Sequence, residues 1–296
     1  MRILITGGTG LIGSALSEKL TSEGHSVFIL SRDGGDFIWS IKDNYMDPMA
    51  LENIDAIVHL AGAGIADKRW SLARKKEIVD SRVESARLLA DTLASNKHQV
   101  KTVISASGIG YYGADTGESI CTEMSDAGLD FVAVCTQAWE KSMEPFMAQG
   151  LRVVKLRIGL VMSSQGGIFR VLARPVHWFI GAILGTGKQW QSWIHIDDLV
   201  EIVHQSLINS SIEGVYNTVA PEPIRQGDMI KLIAKKLKRP LIFPAIPTWF
   251  LKIILGELAN LVTGGNFVSS EKIQKELPFT FKYTSFAEAI KKLSYV

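Results

Sequence analysis

Short apolar runs and stretches of helical apolar spacing alternate along the first half of the chain. Ile3, Leu4 and Ile5 make the first run, and residues 11–20 follow with apolar positions three and four apart. Residues 26–30 (SVFIL), 55–60 (DAIVHL), 100–105 (VKTVIS) and 152–158 (RVVKLRI) read as further strands, and 79–93 and 131–147 as helices. This order predicts an α/β fold, a Rossmann-like doubly wound parallel sheet with helices on both faces. Ligands in such sheets lie beyond the carboxyl ends of the strands. Here those ends are the loop at Gly7, Ser31-Arg32, and residues 61–64, 105–108 and 159–163, all rich in small or polar side chains.

Beyond residue 165 the pattern changes. Gly166, Gly167, Gly181, Gly185 and Gly187 interrupt it, and prolines become frequent over 221–247. Residues 1–164 with 193–220 are expected to form a cofactor-binding domain, and 165–192 with 221–296 a smaller, discontinuous C-terminal substrate lobe. In that lobe Trp249, Phe250, Ile253, Ile254, Leu258 and Leu261 recur at helical spacing, which predicts a core stripe or a homodimer surface and not a membrane-lying helix, because the region lacks a dense basic face.

A hydrophobic content of 47% with 21% charged residues fits a soluble globular protein. Acids and bases are interspersed and sum to only +2, so no nucleic-acid partner is expected. Two cysteines, Cys121 and Cys135, are too few for a disulfide framework. Residues 241–262 are broken by Pro244, Pro247, Lys252 and Glu257, and the chain enters its first strand at once without a signal peptide. The expected setting is cytoplasmic, without a membrane partner.

Gly7, Gly8, Gly10 and Gly13 fall between the first strand and the first helix, the context in which a glycine fingerprint signifies dinucleotide binding. A side chain in this turn would keep a pyrophosphate from the N–H groups of the helix N-terminus. A Cβ on the last glycine would hold helix and strand apart. Gly7, Thr9, Gly10, Leu11, Ile12 and Gly13 are the expected contacts. At the end of the second strand, where an acid would hold a ribose 2′-hydroxyl, stand Ser31 and Arg32. A hydroxyl and a planar guanidinium suit a 2′-phosphate, so NADP(H) is the expected cofactor. Asp33 follows Arg32, and a plain surface charge pair is the competing reading. Leu60, Ala61, Gly62, Ala63, Ser105, Ala106, Arg157 and Gly159, at the other strand ends, complete the expected cofactor site.

The segment from Thr6 to Gly13, His59-Leu60-Ala61-Gly62-Ala63, and Ser105-Ala106-Ser107 followed by Tyr111-Tyr112-Gly113 resemble the extended short-chain dehydrogenase/reductase superfamily. That group includes nucleotide-sugar epimerases and dehydratases. Lys68-Arg69-Trp70, Ser81-Arg82-Val83, Trp139-Glu140, Leu156-Arg157-Ile158-Gly159 and residues 185–199 (GTGKQWQSWIHIDDL) are similar to its atypical branch of epimerase family proteins. The resemblance implies hydride transfer with a nicotinamide cofactor, assisted by a Tyr-x-x-x-Lys pair and a nearby hydroxyl. None of the six tyrosines has a lysine four residues on, and residues 131–141, where the pair belongs, contain no tyrosine. Gapless alignment also puts Gly108 at the hydroxyl position, with Ser107 one place earlier. Ser107, Tyr111, Tyr112 and Glu140 are the catalytic candidates that remain, the competing roles being strand-end hydrogen bonding for Ser107, pocket lining for the tyrosines, and anchoring of a loop or the ribose for Glu140.

His195 and Asp197 share a face of an extended stretch, but no third ligand accompanies them and no metal is expected. Asp197 or Asp198 reads instead as a helix N-cap. Trp178, Trp190 and Trp193 around the Gly-Thr-Gly-Lys loop suit either a substrate lid or packing between lobes. Two functions follow: an NADP(H)-dependent oxidoreductase or epimerase-like enzyme acting on a small polar, sugar-nucleotide-like molecule, or a cofactor-binding sensor with little turnover.

Overall fold

The computed structural model describes residues 1–295. The chain runs through β1 (Arg2–Thr6), α1 (Leu11–Ser22), β2 (Ser26–Ser31), β3 (Phe37–Ser40), β4 (Tyr45–Met46), β5 (Ala56–His59), α2 (Leu72–Ser95) and β6 (Thr102–Gly108). It continues through β7 (Ile120–Cys121), α3 (Phe131–Lys141), α4 (Glu144–Ala148), β8 (Arg152–Ile158), β9 (Leu160–Met162) and α5 (Gly167–His177). Then come β10 (Trp190–Gln191), β11 (Trp193–His195), α6 (Ile196–Ile208), β12 (Gly214–Thr218), β13 (Ile224–Arg225) and α7 (Gln226–Leu237). The last elements are α8 (Thr248–Leu255), α9 (Ala259–Thr263), β14 (Phe267–Val268), α10 (Glu271–Glu276) and α11 (Phe286–Lys292).

Eight strands form one sheet in the order β12-β8-β6-β5-β1-β2-β3-β4, parallel except for β4 against β3. Side chains of a strand alternate between faces, so each apolar run feeds two cores. Ile3 and Ile5 pack with Val58, Ile104, Leu16 and Leu199 on one face. Leu4 packs with Ile57, Val103, Leu89 and Phe146 on the other. The strand order reverses at β1, between β2 and β5, and this switch point opens the crevice in which doubly wound sheets take ligands.

A third core joins Phe169, Trp193, Met229, Ile230, Phe286 and Ile290. Two-stranded pairs bind the C-terminal segments to earlier ones: β9 with β11, β10 with β13, and β7 with β14. The helix expected over 131–147 is two helices. The chain breaks at Ser142 and Met143, and Pro145, which cannot donate a backbone hydrogen bond, sits in the first turn of the second. The apolar stripe of α8 is not core, because only Leu251 of that helix is buried. Among the described residues no helix is long and apolar enough to cross a membrane. Cys121 and Cys135 are free and buried.

Candidate functional site

The loop after β1 is built for close backbone approach. Gly7 has φ +71°, and a Cβ there would lie 2.9 Å from the carbonyl carbon and oxygen of Leu60. Its carbonyl accepts from Gly10 N at 3.1 Å, closing the turn. A Cβ on Gly13 would stand 2.4 Å from Gly7 O and 2.6 Å from Gly8 Cα, so α1 can sit on the turn only with glycine there. Gly10 caps α1 without a side chain, and the first turn holds no acid. The N-terminal N–H groups from Leu11 to Gly13 are therefore left for an outside acceptor, with the positive end of the helix behind them. This cradle, which any Cβ would fill, fits a pyrophosphate.

Beneath it, His59 is fully buried and holds Thr6 Oγ1 at 2.8 Å and Ser85 Oγ at 3.2 Å. Burial pushes its imidazole down to about 4, so it is neutral and joins the ends of β1 and β5. Leu60 N donates to Thr6 O at 3.1 Å, Ala61 N to Thr6 Oγ1 at 3.3 Å, and Ala63 N to Ser81 Oγ at 3.0 Å. Gly62 passes close to the Arg82 side chain, which lies over the Trp139 ring. At the end of β2, Arg32 is exposed and makes no salt bridge among the described residues, while Ser31 Oγ donates to Asp33 O. Ser105 is buried, its hydroxyl donating to Ala106 O at 2.9 Å, and Gly159 passes close against Ser192 O.

The catalytic candidates converge at the ends of β6, β8 and β12. Ser107 Oγ donates to Glu140 Oε1 at 2.7 Å. Arg157 donates to the same carboxylate through Nε at 2.7 Å and Nη2 at 2.9 Å. Its Nη1 reaches Tyr112 Oη at 3.0 Å, and Tyr112 donates onward to Asn217 Oδ1 at 2.6 Å. Ser107, Tyr112, Glu140, Arg157 and Asn217 are all buried. Desolvation alone would depress the guanidinium of Arg157, but its bonds to and charge pairing with Glu140 hold it above the usual arginine range. Burial pushes the Tyr112 phenol up to about 12. Tyr111 is half-buried, with the Arg157 guanidinium 3.4 Å from its ring centre, and its hydroxyl makes no hydrogen bond to the described residues. On α3, Val132 and Thr136 face the turn after β6, where a Cβ on Gly110 would lie 2.4 Å from Val132.

Asn217 and His59 were missed from the sequence. His59 stands in the sequence only as the first residue of the His59–Ala63 motif, at the end of an apolar run, whereas Asn217 lies between Tyr216 and Thr218 and carries no such signal.

The segment after β11 joins distant parts of the chain. His195, not Asp197 or Asp198, caps α6, accepting from Asp197 N at 3.2 Å. The helix starts two or three residues earlier than expected, because β11 (ending at His195) runs into it directly. Asp198 accepts from Lys282 N at 2.8 Å and Tyr283 N at 3.1 Å. Burial raises its carboxyl to about 6 from an ordinary 3.8 despite these bonds. A carboxyl with a raised folded value stabilises fully below its unfolded value and loses that contribution as pH rises through 6. Urea unfolding should show a decline on the order of 2–3 kcal/mol between about pH 4 and pH 7 that Asp198→Asn flattens. An equal slope in both proteins would exclude Asp198 as its source.

Trp193 is core and packs on Phe286, Trp190 lies under Arg225 and donates to Glu118, and Trp178 is exposed. Glu23, Glu201 and His204 come together on a separate edge, but the Lys19 ammonium bridges the two acids at 2.5 and 2.7 Å and supplies the positive charge there.

Sheet order, glycine cradle and switch-point crevice define a Rossmann-type α/β protein. The profile of the NAD dependent epimerase/dehydratase family matches residues 3–218, and a domain of unknown function (DUF1731) matches residues 246–293. The chain belongs to the NAD dependent epimerase/dehydratase family. It is 31% identical to the epimerase family protein YfhF of Bacillus subtilis, over 97% of this chain and 96% of that one. The chloroplastic SDR39U1 homolog of Arabidopsis thaliana is 34% identical over 98% of this chain and 86% of its own. The crystal structure of human epimerase family protein SDR39U1 with NADPH superposes with a TM-score of 0.88 at 27% identity, covering 99% of each chain.

Proposed function

We propose that the protein binds NADP(H) and acts as an oxidoreductase or epimerase-like enzyme on a small polar substrate. The observation that carries this reading is the uncapped N-terminus of α1 over Gly7, Gly10 and Gly13 at the switch point. The NADPH in the human relative supports the choice of cofactor. Gly7, Thr9, Gly10, Leu11, Ile12 and Gly13 would hold the pyrophosphate. Ser31 and Arg32 would hold the 2′-phosphate, and Leu60, Ala61, Gly62, Ala63, Ser105, Ala106 and Gly159 would form the floor beyond the strand ends. The bound cofactor would supply or accept a hydride.

The chain's own residues divide into two roles. Glu140 is saturated by Ser107 and Arg157, and Tyr112 is bonded on both sides, so these four position one another. Tyr111 is left with an uncommitted phenol on the rigid Arg157 platform, and is the residue proposed to pass the proton. Val132 and Thr136, four apart on α3 and facing the turn after β6, stand at the spacing of the missing Tyr-x-x-x-Lys pair. That loss favours the second reading, cofactor binding with little turnover.

NADPH and NADH titrations on the wild type and Arg32→Ala test the cofactor. Loss of one bidentate phosphate contact is expected to weaken NADPH by about tenfold to a hundredfold and leave NADH unchanged. Equal effects on both would remove Arg32 from the site. Oxidation of bound NADPH across carbonyl compounds, and product analysis with sugar nucleotides, separate the two readings. Turnover lost in Tyr111→Phe supports the enzyme, whereas tight binding with no product from any substrate favours the sensor.

A further inference from the structure

Helix α8, TWFLKIIL, is apolar around nearly its whole circumference, a composition normally found in buried helices. Here Leu251 alone is buried, and Trp249, Phe250, Ile253 and Ile254 lie in one exposed sector. The sector does not stand alone. Ile246 N donates to Ile183 O at 2.8 Å, and Gly185 N to Ile246 O at 2.9 Å, so the segment before α8 runs beside residues 178–185. The Arg239 guanidinium lies 4.6 Å from the Phe179 ring centre and fastens the two at their other end. Trp178, Ile180, Ile242, Trp249 and Ile253 each expose 60% or more of their surface. Side chains this exposed project outward instead of lining a cleft, and an apolar patch of this extent marks an interaction surface.

Charge selects the occupant. Residues 229–256 contain six Lys or Arg and no Asp or Glu, and residues 145–196 also lack any acid, in a chain whose net charge is only +2. Lys238, Arg239 and Lys252 flank the apolar side chains themselves. A second copy meeting this face across a two-fold axis would bring cations against cations. An anionic surface matches both features, because Lys and Arg are attracted to acidic headgroups while Trp, Phe and Ile enter the acyl boundary.

We propose that this face docks the protein on anionic phospholipid bilayers as a surface-bound protein that does not span them. In the sequence this stripe lacks a dense basic face, which goes against a membrane-lying helix; in the fold Arg239 is fastened beside Phe179, and with Lys238 and Lys252 it flanks the apolar sector.

The test is cosedimentation of the full chain with vesicles of phosphatidylcholine alone and of phosphatidylcholine with about 30 mol% phosphatidylglycerol. Partition is expected to be at least about tenfold higher on the anionic vesicles and to fall as salt is raised. Trp249→Ser/Ile253→Ser, at exposed positions outside the cofactor crevice, should lower it by about tenfold with an unchanged melting temperature. Lys252→Glu should lower it without changing the residual binding to phosphatidylcholine. Equal or negligible binding to both vesicle types overturns the proposal. So does a dimer in sedimentation velocity that the double variant dissolves while vesicle binding is absent.

Discussion

Gly13→Val should remove NADPH binding, with a loss of about a hundredfold or more in affinity by calorimetric titration. The three nearest atoms to a Cβ at this position are Gly7 O at 2.4 Å, Gly8 Cα at 2.6 Å and Gly8 C at 2.9 Å. All are backbone and none can rotate away, so α1 must lift from the turn. The N–H groups that would face the pyrophosphate move with it, and forced overpacking of this kind costs about 1–3 kcal/mol of stability as well. Gly10→Ala separates the two effects, because it puts a methyl group into the cradle and should weaken NADPH binding without the loss of stability. Its Cβ would meet only Gly7 O, at 3.3 Å, and the helix can stay in place. Wild-type affinity in Gly13→Val would mean that the nucleotide does not sit on this helix terminus.

Glu140→Gln should be the most destabilising conservative change in the second half of the site, by about 3–5 kcal/mol in urea unfolding. Arg157 is 3% exposed, and its counter-charge is the Glu140 carboxylate on Nε and Nη2. An amide removes that charge and, in either orientation, turns an acceptor of an Arg157 N–H into a donor facing the guanidinium. Adding Arg157→Met should restore part of the loss, because an unpaired buried charge costs more than a missing pair. Additive effects of the two substitutions would show that the groups do not act as a pair.

The surroundings of individual residues separate roles that the sequence leaves open. Glu140 reads in the sequence either as an acid–base group or as an anchor for a loop or the ribose, because a carboxylate on the active-site helix can do both. In the fold its two oxygens are occupied by Ser107 and Arg157. Tyr111 and Tyr112 are indistinguishable as neighbours in sequence. One is locked between Arg157 and Asn217, while the other offers its ring face to Arg157 and leaves its hydroxyl uncommitted. The spacing of α8 predicts a core stripe or a dimer surface, and the fold removes only the core reading, since periodicity reports that a helix has an apolar face but not what covers it.

The sequence by itself determined the fold class and the cofactor cradle. Strand, glycine turn and helix start are consecutive in the chain, and the steric demand for glycine at Gly7 and Gly13 is settled within a few residues and one neighbouring strand. It also determined that the Tyr-x-x-x-Lys pair is missing, which is a matter of composition. The tertiary structure alone decided what the remaining polar residues do. Tyr112 and Asn217 are 105 positions apart, and Ser107 and Glu140 are 33 apart on different elements. Their roles depend on which donors and acceptors burial leaves satisfied, and only packing brings those partners within hydrogen-bond reach.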